Sequence, residues 1–251
     1  MDELEFAATA VLSPAERNIL VRINDFLRDG GRTAEPIPLR ERSYQLFQNE
    51  KRLDNLTESR LVVSGLLSLE THLRAFATPP PLPIVELGSA PWALIVENVA
   101  TFTSLRSVLR HMATANRAEV GWLCLGSGKL VIQSIASLAE RSVETGHRIV
   151  TISYFGDLDV EGLEIAQRAS DRGISIGLPP LQPAVQLYEA LLQRPDREAE
   201  PADPLRIQAA ARWLPEELAP MVVTMLLSNR CLRQEALPLP MIRKILSGDS
   251  P

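Results

Sequence analysis

Residues 149–162 read Ile-Val-Thr-Ile-Ser-Tyr-Phe-Gly-Asp-Leu-Asp-Val-Glu-Gly, an apolar run that ends in two aspartates one residue apart. In an extended chain residues i and i+2 point to the same side, so Asp157 and Asp159 present two carboxylates together. Like charges that close repel unless a proton or cation stands between them, and hard oxygen donors suit Mg²⁺ or Mn²⁺. Glu97 closes an earlier apolar run, residues 92–96, and could join the pair, because the strand ends of a parallel sheet share one rim. One glutamate with an Asp-x-Asp pair on that rim is the donor set of a metal-dependent phosphoryl-transfer site. A metal there lowers the pKa of a bound water and stabilises charge growing on a phosphate oxygen. Taken singly, Glu97 reads as well as a first-turn carboxylate facing a positive helix N-terminus. Glu161 is either a further ligand or a first-turn carboxylate, and the second reading is preferred.

Such a site needs a scaffold. At 251 residues the chain holds one large domain or two smaller ones. Ser13-Pro14-Ala15-Glu16 has the pattern of a capped helix start, and apolar residues then recur at helical spacing up to Gly30-Gly31. A second helical segment is expected over 39–54, and short apolar runs continue to residue 76. We assign 1–77 to an N-terminal helix plus a small, mainly helical, winged-helix-like DNA-binding domain. Prolines crowd residues 79–83 and favour a stiff extended spacer, so 78–90 is expected to be a linker. Over 91–251 the pattern alternates: strands at 92–97, 119–125 and 148–155, helices at 99–115, 129–143 and 161–172 with Gly173 as C-cap, then further helices. Nearly continuous apolar strands joined by helices predict an α/β fold with a Rossmann-like parallel sheet and flanking helices. Residues 194–204 are polar and proline-rich and are expected to form a mobile loop.

The net charge of −5 does not advertise nucleic-acid binding, so any such surface must be local. Arg106, Arg110 and Arg117 recur on one helix face, and no acidic residue lies between Asn98 and Glu119. A phosphate-contacting face and a solvated face are equally good readings. Gly126-Ser127-Gly128-Lys129 lacks the earlier glycine and the Ser/Thr of a phosphate loop and reads as a tight strand-to-helix turn. Cys124 and Cys231 show neither disulfide nor metal spacing, and His72, His111 and His147 share no ligand spacing. No signal-like segment opens the sequence and no apolar run approaches bilayer length, so a soluble, cytoplasmic protein without membrane contact is expected.

The segments 96–102 (Val-Glu-Asn-Val-Ala-Thr-Phe) and 154–165 (Tyr-Phe-Gly-Asp-Leu-Asp-Val-Glu-Gly-Leu-Glu-Ile) resemble the two signature segments of the Toprim-type nuclease subunits of Wadjet anti-plasmid systems, the JetD or MksG family. Residues 39–54 look like that family's winged-helix segment, and the resemblance spans about 37–240. It implies a Toprim domain related to type IIB topoisomerase A subunits, Mg²⁺-dependent cleavage of double-stranded DNA, a homodimer, recruitment by an SMC–kleisin complex and a nucleoid-associated location. By position, Glu97 would be the Toprim glutamate, acting as metal ligand or general acid/base, and Asp157 and Asp159 would hold the metal. Gly162 would allow a close backbone approach. Asn98 and Thr101 would steady Glu97, with Glu161 in support. Arg42, Lys51 and Arg52 would join Arg106, Arg110 and Arg117 in contacting DNA. One departure stands out: Arg233 falls where the family carries a glutamate, which puts roles for Gln234 and Glu235 in doubt.

The related topoisomerase subunits cleave DNA through a winged-helix tyrosine. Here Tyr44 falls in an apolar stripe with Phe47 and reads as a core aromatic, which makes water the expected nucleophile. Two other functions fit parts of the pattern. A non-catalytic DNA-binding or assembly subunit would keep the acidic cluster as structure. An Asp-x-Asp phosphatase would need a later lysine and acidic pair, and only Lys244 follows Asp159.

Overall fold

The computed structural model describes residues 3–8, 10–56, 59–114 and 119–247. The chain divides into two compact units, Met1–Thr78 and Pro79–Pro251. In the first, α1 (Pro14–Arg28) begins with the reciprocal cap that its sequence encodes: the Ser13 and Glu16 side chains each accept the other's backbone N–H. Its apolar face packs Leu20, Ile23 and Leu27 against Leu39, Leu53, Leu61 and Leu73. A two-residue strand β1 (Ile37–Pro38) leads into α2 (Leu39–Phe47), and two single-turn helices follow, α3 (Arg60–Val63) and α4 (Leu69–His72), before β2 (Ala75–Phe76). β1 and β2 pair in parallel. A wing would be an antiparallel hairpin, and none forms among the described residues of this unit.

Three expectations for α2 are corrected. The helix stops at Phe47 because Gln48 takes a left-handed conformation (φ 52°), so it does not continue to 54. Tyr44 is 60% exposed and lies outside the core, whereas Arg42 is 2% exposed. The Arg42 guanidinium stacks over Phe26 and donates to Gln45 and to the carbonyls of Glu35 and Arg74, so it holds unit one together from inside and cannot face DNA. Lys51 and Arg52 are exposed.

The second unit is α/β. Its sheet runs in the order β3 (Ile84–Glu86), β5 (Trp122–Leu125), β4 (Trp92–Val96), β6 (Thr151–Phe155), β7 (Leu181–Pro183), all parallel except the edge strand β3. Residues 84–86 thus belong to the sheet and correct the linker expectation for 78–90. Between the strands come α5 (Val99–Thr114), α6 (Val131–Thr145) and α7 (Val160–Ser175). α7 runs through Gly173 instead of ending there, and Gly177 (φ 85°) supplies the left-handed turn after it. Ala93, Ile95, Ile152 and Tyr154 face a core closed by α6 and α7; Leu94, Val96 and Phe155 face the opposite one. That alternation is the period of two expected of strands buried on both sides.

The opposite core is closed by α5 together with the C-terminal elements: α8 (Val185–Leu192), α9 (Pro204–Ala211), α10 (Ala219–Leu227) and α11 (Leu239–Ser247). Inside the segment expected to be a loop, β8 (Arg197–Glu198) pairs antiparallel with β9 (Arg230–Cys231). Both cysteines are free and buried. No helix among the described residues is long and apolar enough to cross a membrane.

Candidate active site at the carboxyl rim of the sheet

β4 and β6 are neighbours, and their crossovers leave in opposite directions: β4 leads through α5 to β5 on one side, β6 through α7 to β7 on the other. The crevice where such connections diverge is where open α/β sheets bind ligands. Glu97 follows β4 and Asp157 follows β6, so the strand order brings together two residues 60 positions apart; the backbone N–H of Asp157 donates to Oε2 of Glu97 at 3.1 Å. The Tyr154 hydroxyl lies 3.5 Å from the same oxygen. Burial pushes the Glu97 carboxyl up to about 7, with the charges of Asp157 and Asp159 adding to the rise and the Asp157 N–H and Arg233 opposing it.

Asp157 and Asp159 lie just past the end of β6, on either side of Leu158, which is fully buried. Leu158 forms an antiparallel bridge with Leu232, each backbone N–H donating to the other's carbonyl. The extended stretch explains why both aspartates face the same way. It also brings the residue after Leu232 opposite Asp157. That residue is Arg233, whose Nη1 donates to Oδ2 of Asp157 and lies 2.9 Å from Oδ2 of Asp159. The remaining aspartate oxygens meet the backbone: Oδ1 of Asp157 accepts from Gln234 N at 2.9 Å, and Oδ1 of Asp159 caps α7 by accepting from Gly162 N at 2.7 Å.

Two glycines make room. A Cβ on Gly162 would stand 2.5 Å from the Asp157 carbonyl, and one on Gly156 would stand 2.7 Å from Oε2 of Glu97. Gly156 N donates to the buried Tyr188 hydroxyl at 2.8 Å, which fixes the turn between strand and aspartates. Tyr154, Tyr188 and Gly156 do not stand out in the sequence, because each looks like ordinary strand, helix or turn material.

The supporting residues take other places. The Asn98 side chain accepts from Thr101 N at 2.8 Å, so it caps the first turn of α5. Thr101 is buried and its hydroxyl has no hydrogen-bond partner among the described residues. Glu161 pairs with Lys129 at 2.6 Å, a first-turn carboxylate spanning the rim. The Arg106 guanidinium lies over the Phe102 ring and Arg110 is exposed, while Arg117 lies outside the described residues. Beside Asp159 opens a cleft of about 610 Å³ whose walls carry Glu161, Glu198, Arg197, Arg206 and Arg233, charges of both signs.

The donor chemistry fits a hard divalent ion, since one oxygen of each aspartate already converges on a single cationic nitrogen. That position is taken by Arg233. As the side chains stand, no group of three or more His, Cys, Asp or Glu among the described residues is placed to hold a metal. Comparison with family models, with curated proteins and with solved structures finds no match to this chain.

Proposed function

We propose that this chain is a metal-dependent DNA endonuclease of the Toprim type, with Glu97, Asp157 and Asp159 as its catalytic carboxylates. The observation that carries the reading is the meeting of Glu97 with the Asp-x-Asp pair at the diverging crossovers of β4 and β6. Asp157 and Asp159 would hold Mg²⁺ or Mn²⁺, with Glu97 as the third carboxylate. Such an ion, when bound, supplies positive charge to the phosphate and lowers the pKa of a coordinated water.

The chain's own part is positional and protonic. Asp157 N–H and the Tyr154 hydroxyl hold Oε2 of Glu97. In the metal-free chain burial raises the Glu97 carboxyl to about 7, which suits Glu97 to the part of a general acid or base. Water is the nucleophile in this reading. The exposed Tyr44 is the one other candidate, and a DNA adduct on it would replace hydrolysis by transesterification. The small helical unit is the proposed winged-helix-like DNA-binding part, and double-stranded DNA, an SMC–kleisin complex and a second copy of the chain are the proposed partners.

A second reading is favoured by one observation. Arg233 offsets part of the aspartate pair's charge without any metal, which suits a non-catalytic DNA-binding or assembly subunit that keeps the acidic cluster as structure. Incubating the purified protein, alone and with the SMC partner, with circular DNA and Mn²⁺ or Mg²⁺ separates the two. Cleavage lost in Glu97→Ala and Asp157→Ala supports the nuclease. Cleavage indifferent to both substitutions, or absent even with the partner, favours the assembly subunit.

A further inference from the structure

Arg233 sits where a bridging ion would sit, with one nitrogen against one oxygen of each aspartate. We infer that Arg233 is a tethered cation that holds the Asp157–Asp159 pair metal-free, and that a divalent ion enters only by displacing it. The inference rests on the metal-dependent reading above and adds a residue that competes with the metal.

The first support is exclusion. Two cations cannot occupy one point between the same two oxygens, and each would neutralise the same charge. The second is access: Arg233 keeps 40% of its side chain exposed while Asp157 and Asp159 keep 13% and 20%. The cleft that Arg233 and Asp159 both line leaves room for the guanidinium to swing aside. Asp159 does not depend on it, because Gly162 N–H holds the other carboxylate oxygen.

A third support comes from the next residue. The Gln234 side chain is fully buried, and neither its amide nitrogen nor its oxygen has a partner among the described residues. Buried amides are almost always paired, and an unpaired one is unfavourable. The segment that seats Arg233 therefore carries an unsatisfied buried amide in this arrangement, while Gln234 N–H still holds Oδ1 of Asp157. Metal and guanidinium are then linked reciprocally: whatever draws Arg233 away raises metal affinity, and bound metal frees Arg233.

The test measures Mn²⁺ binding to the full chain by electron paramagnetic resonance of the free ion, in wild type, Arg233→Gln and Arg233→Lys. Arg233→Gln is expected to bind roughly tenfold or more tightly than wild type, because a charge in direct contact with the ion's site is gone. Arg233→Lys keeps a cation there and is expected to stay close to wild type. Equal affinity in wild type and Arg233→Gln overturns the displacement and leaves the metal-dependent reading standing. No Mn²⁺ binding in any of the three overturns both.

A second measurement does not depend on how Arg233→Gln folds. Mg²⁺ is titrated into wild type while the arginine Nε–H resonances are followed by NMR, the Arg233 signal being identified by its loss in Arg233→Lys. The signal is expected to move toward a solvent-exposed position as Mg²⁺ binds. A signal that stays fixed while Mg²⁺ saturates the protein overturns the inference.

Discussion

Glu97 and Asp157 touch through a backbone hydrogen bond yet meet different surroundings. Asp157 accepts from Arg233 and from Gln234 N, whereas Glu97 is mostly enclosed by the protein and its carboxyl is pushed by burial from 4.5 to about 7. A carboxyl raised in this way binds its proton more tightly folded than unfolded. Stability should therefore fall as the pH climbs from 4.5 to about 7 and stay lower above it. Glu97→Gln keeps an oxygen for Asp157 N–H and cannot ionise. It should be more stable than wild type at alkaline pH by about 1–3 kcal/mol and match it in acid, as measured by urea unfolding at both. A variant that gains nothing at alkaline pH would show that the burial of Glu97 is harmless. In the proposed nuclease the same substitution should lower cleavage by a factor of about 10² or more. Gly162→Ala should cost about 1–3 kcal/mol, because its Cβ would meet the Asp157 carbonyl at 2.5 Å; chemical denaturation reads this directly.

At the scale of elements, the Leu158–Leu232 bridge is what turns a strand end into a site. It keeps the Asp-x-Asp stretch extended after β6 has finished and brings Arg233 across from Asp157. Leu158→Ala should cost about 2–5 kcal/mol by the cavity it leaves in a fully buried position, measured as a shift in the urea midpoint. Tyr188→Phe removes the acceptor of Gly156 N–H from inside the protein and should cost about 1 kcal/mol by the same measurement. β4, β6, α5 and α7 are legible in the sequence because their apolar residues recur at two or at 3.6 over long enough stretches. β3 is not legible: three residues directly after a proline run carry too little pattern, and only pairing with β5 makes them a strand. Tyr44 misleads for a different reason. Its helix buries Leu39, Arg42 and Ser43 and packs Leu46 and Phe47 against the core, so Tyr44 lies beside that face and ends up outside.

At the scale of the whole molecule, the two units carry separate cores: one built on Leu20, Ile23 and Leu73, the other on both faces of the five-stranded sheet. Each unit therefore has what an independent fold requires. A fragment of residues 79–251 is expected to fold alone and to melt at the temperature of the sheet unit in the full chain, followed by circular dichroism. A fragment that stays unfolded would show that the sheet unit needs the helical one. In the proposed nuclease that fragment should also lose affinity for duplex DNA while keeping its Mn²⁺ binding. Loss of both would place the metal-binding residues under the control of unit one.

The sequence alone determined what is local: the alternation that makes β4 and β6 strands, the Ser13 cap of α1, and the side-by-side aspartates of an extended Asp-x-Asp. It also marked Glu97 as a carboxylate at a strand end. Whether Glu97 reached the pair depended on the order of strands in the sheet, and periodicity carries no record of which strand lies beside which. Only the tertiary structure set β4 next to β6, and with it Glu97 next to Asp157. It alone placed Arg233 between the aspartates, because that contact joins residues 76 positions apart through a single bridge at Leu158 and Leu232.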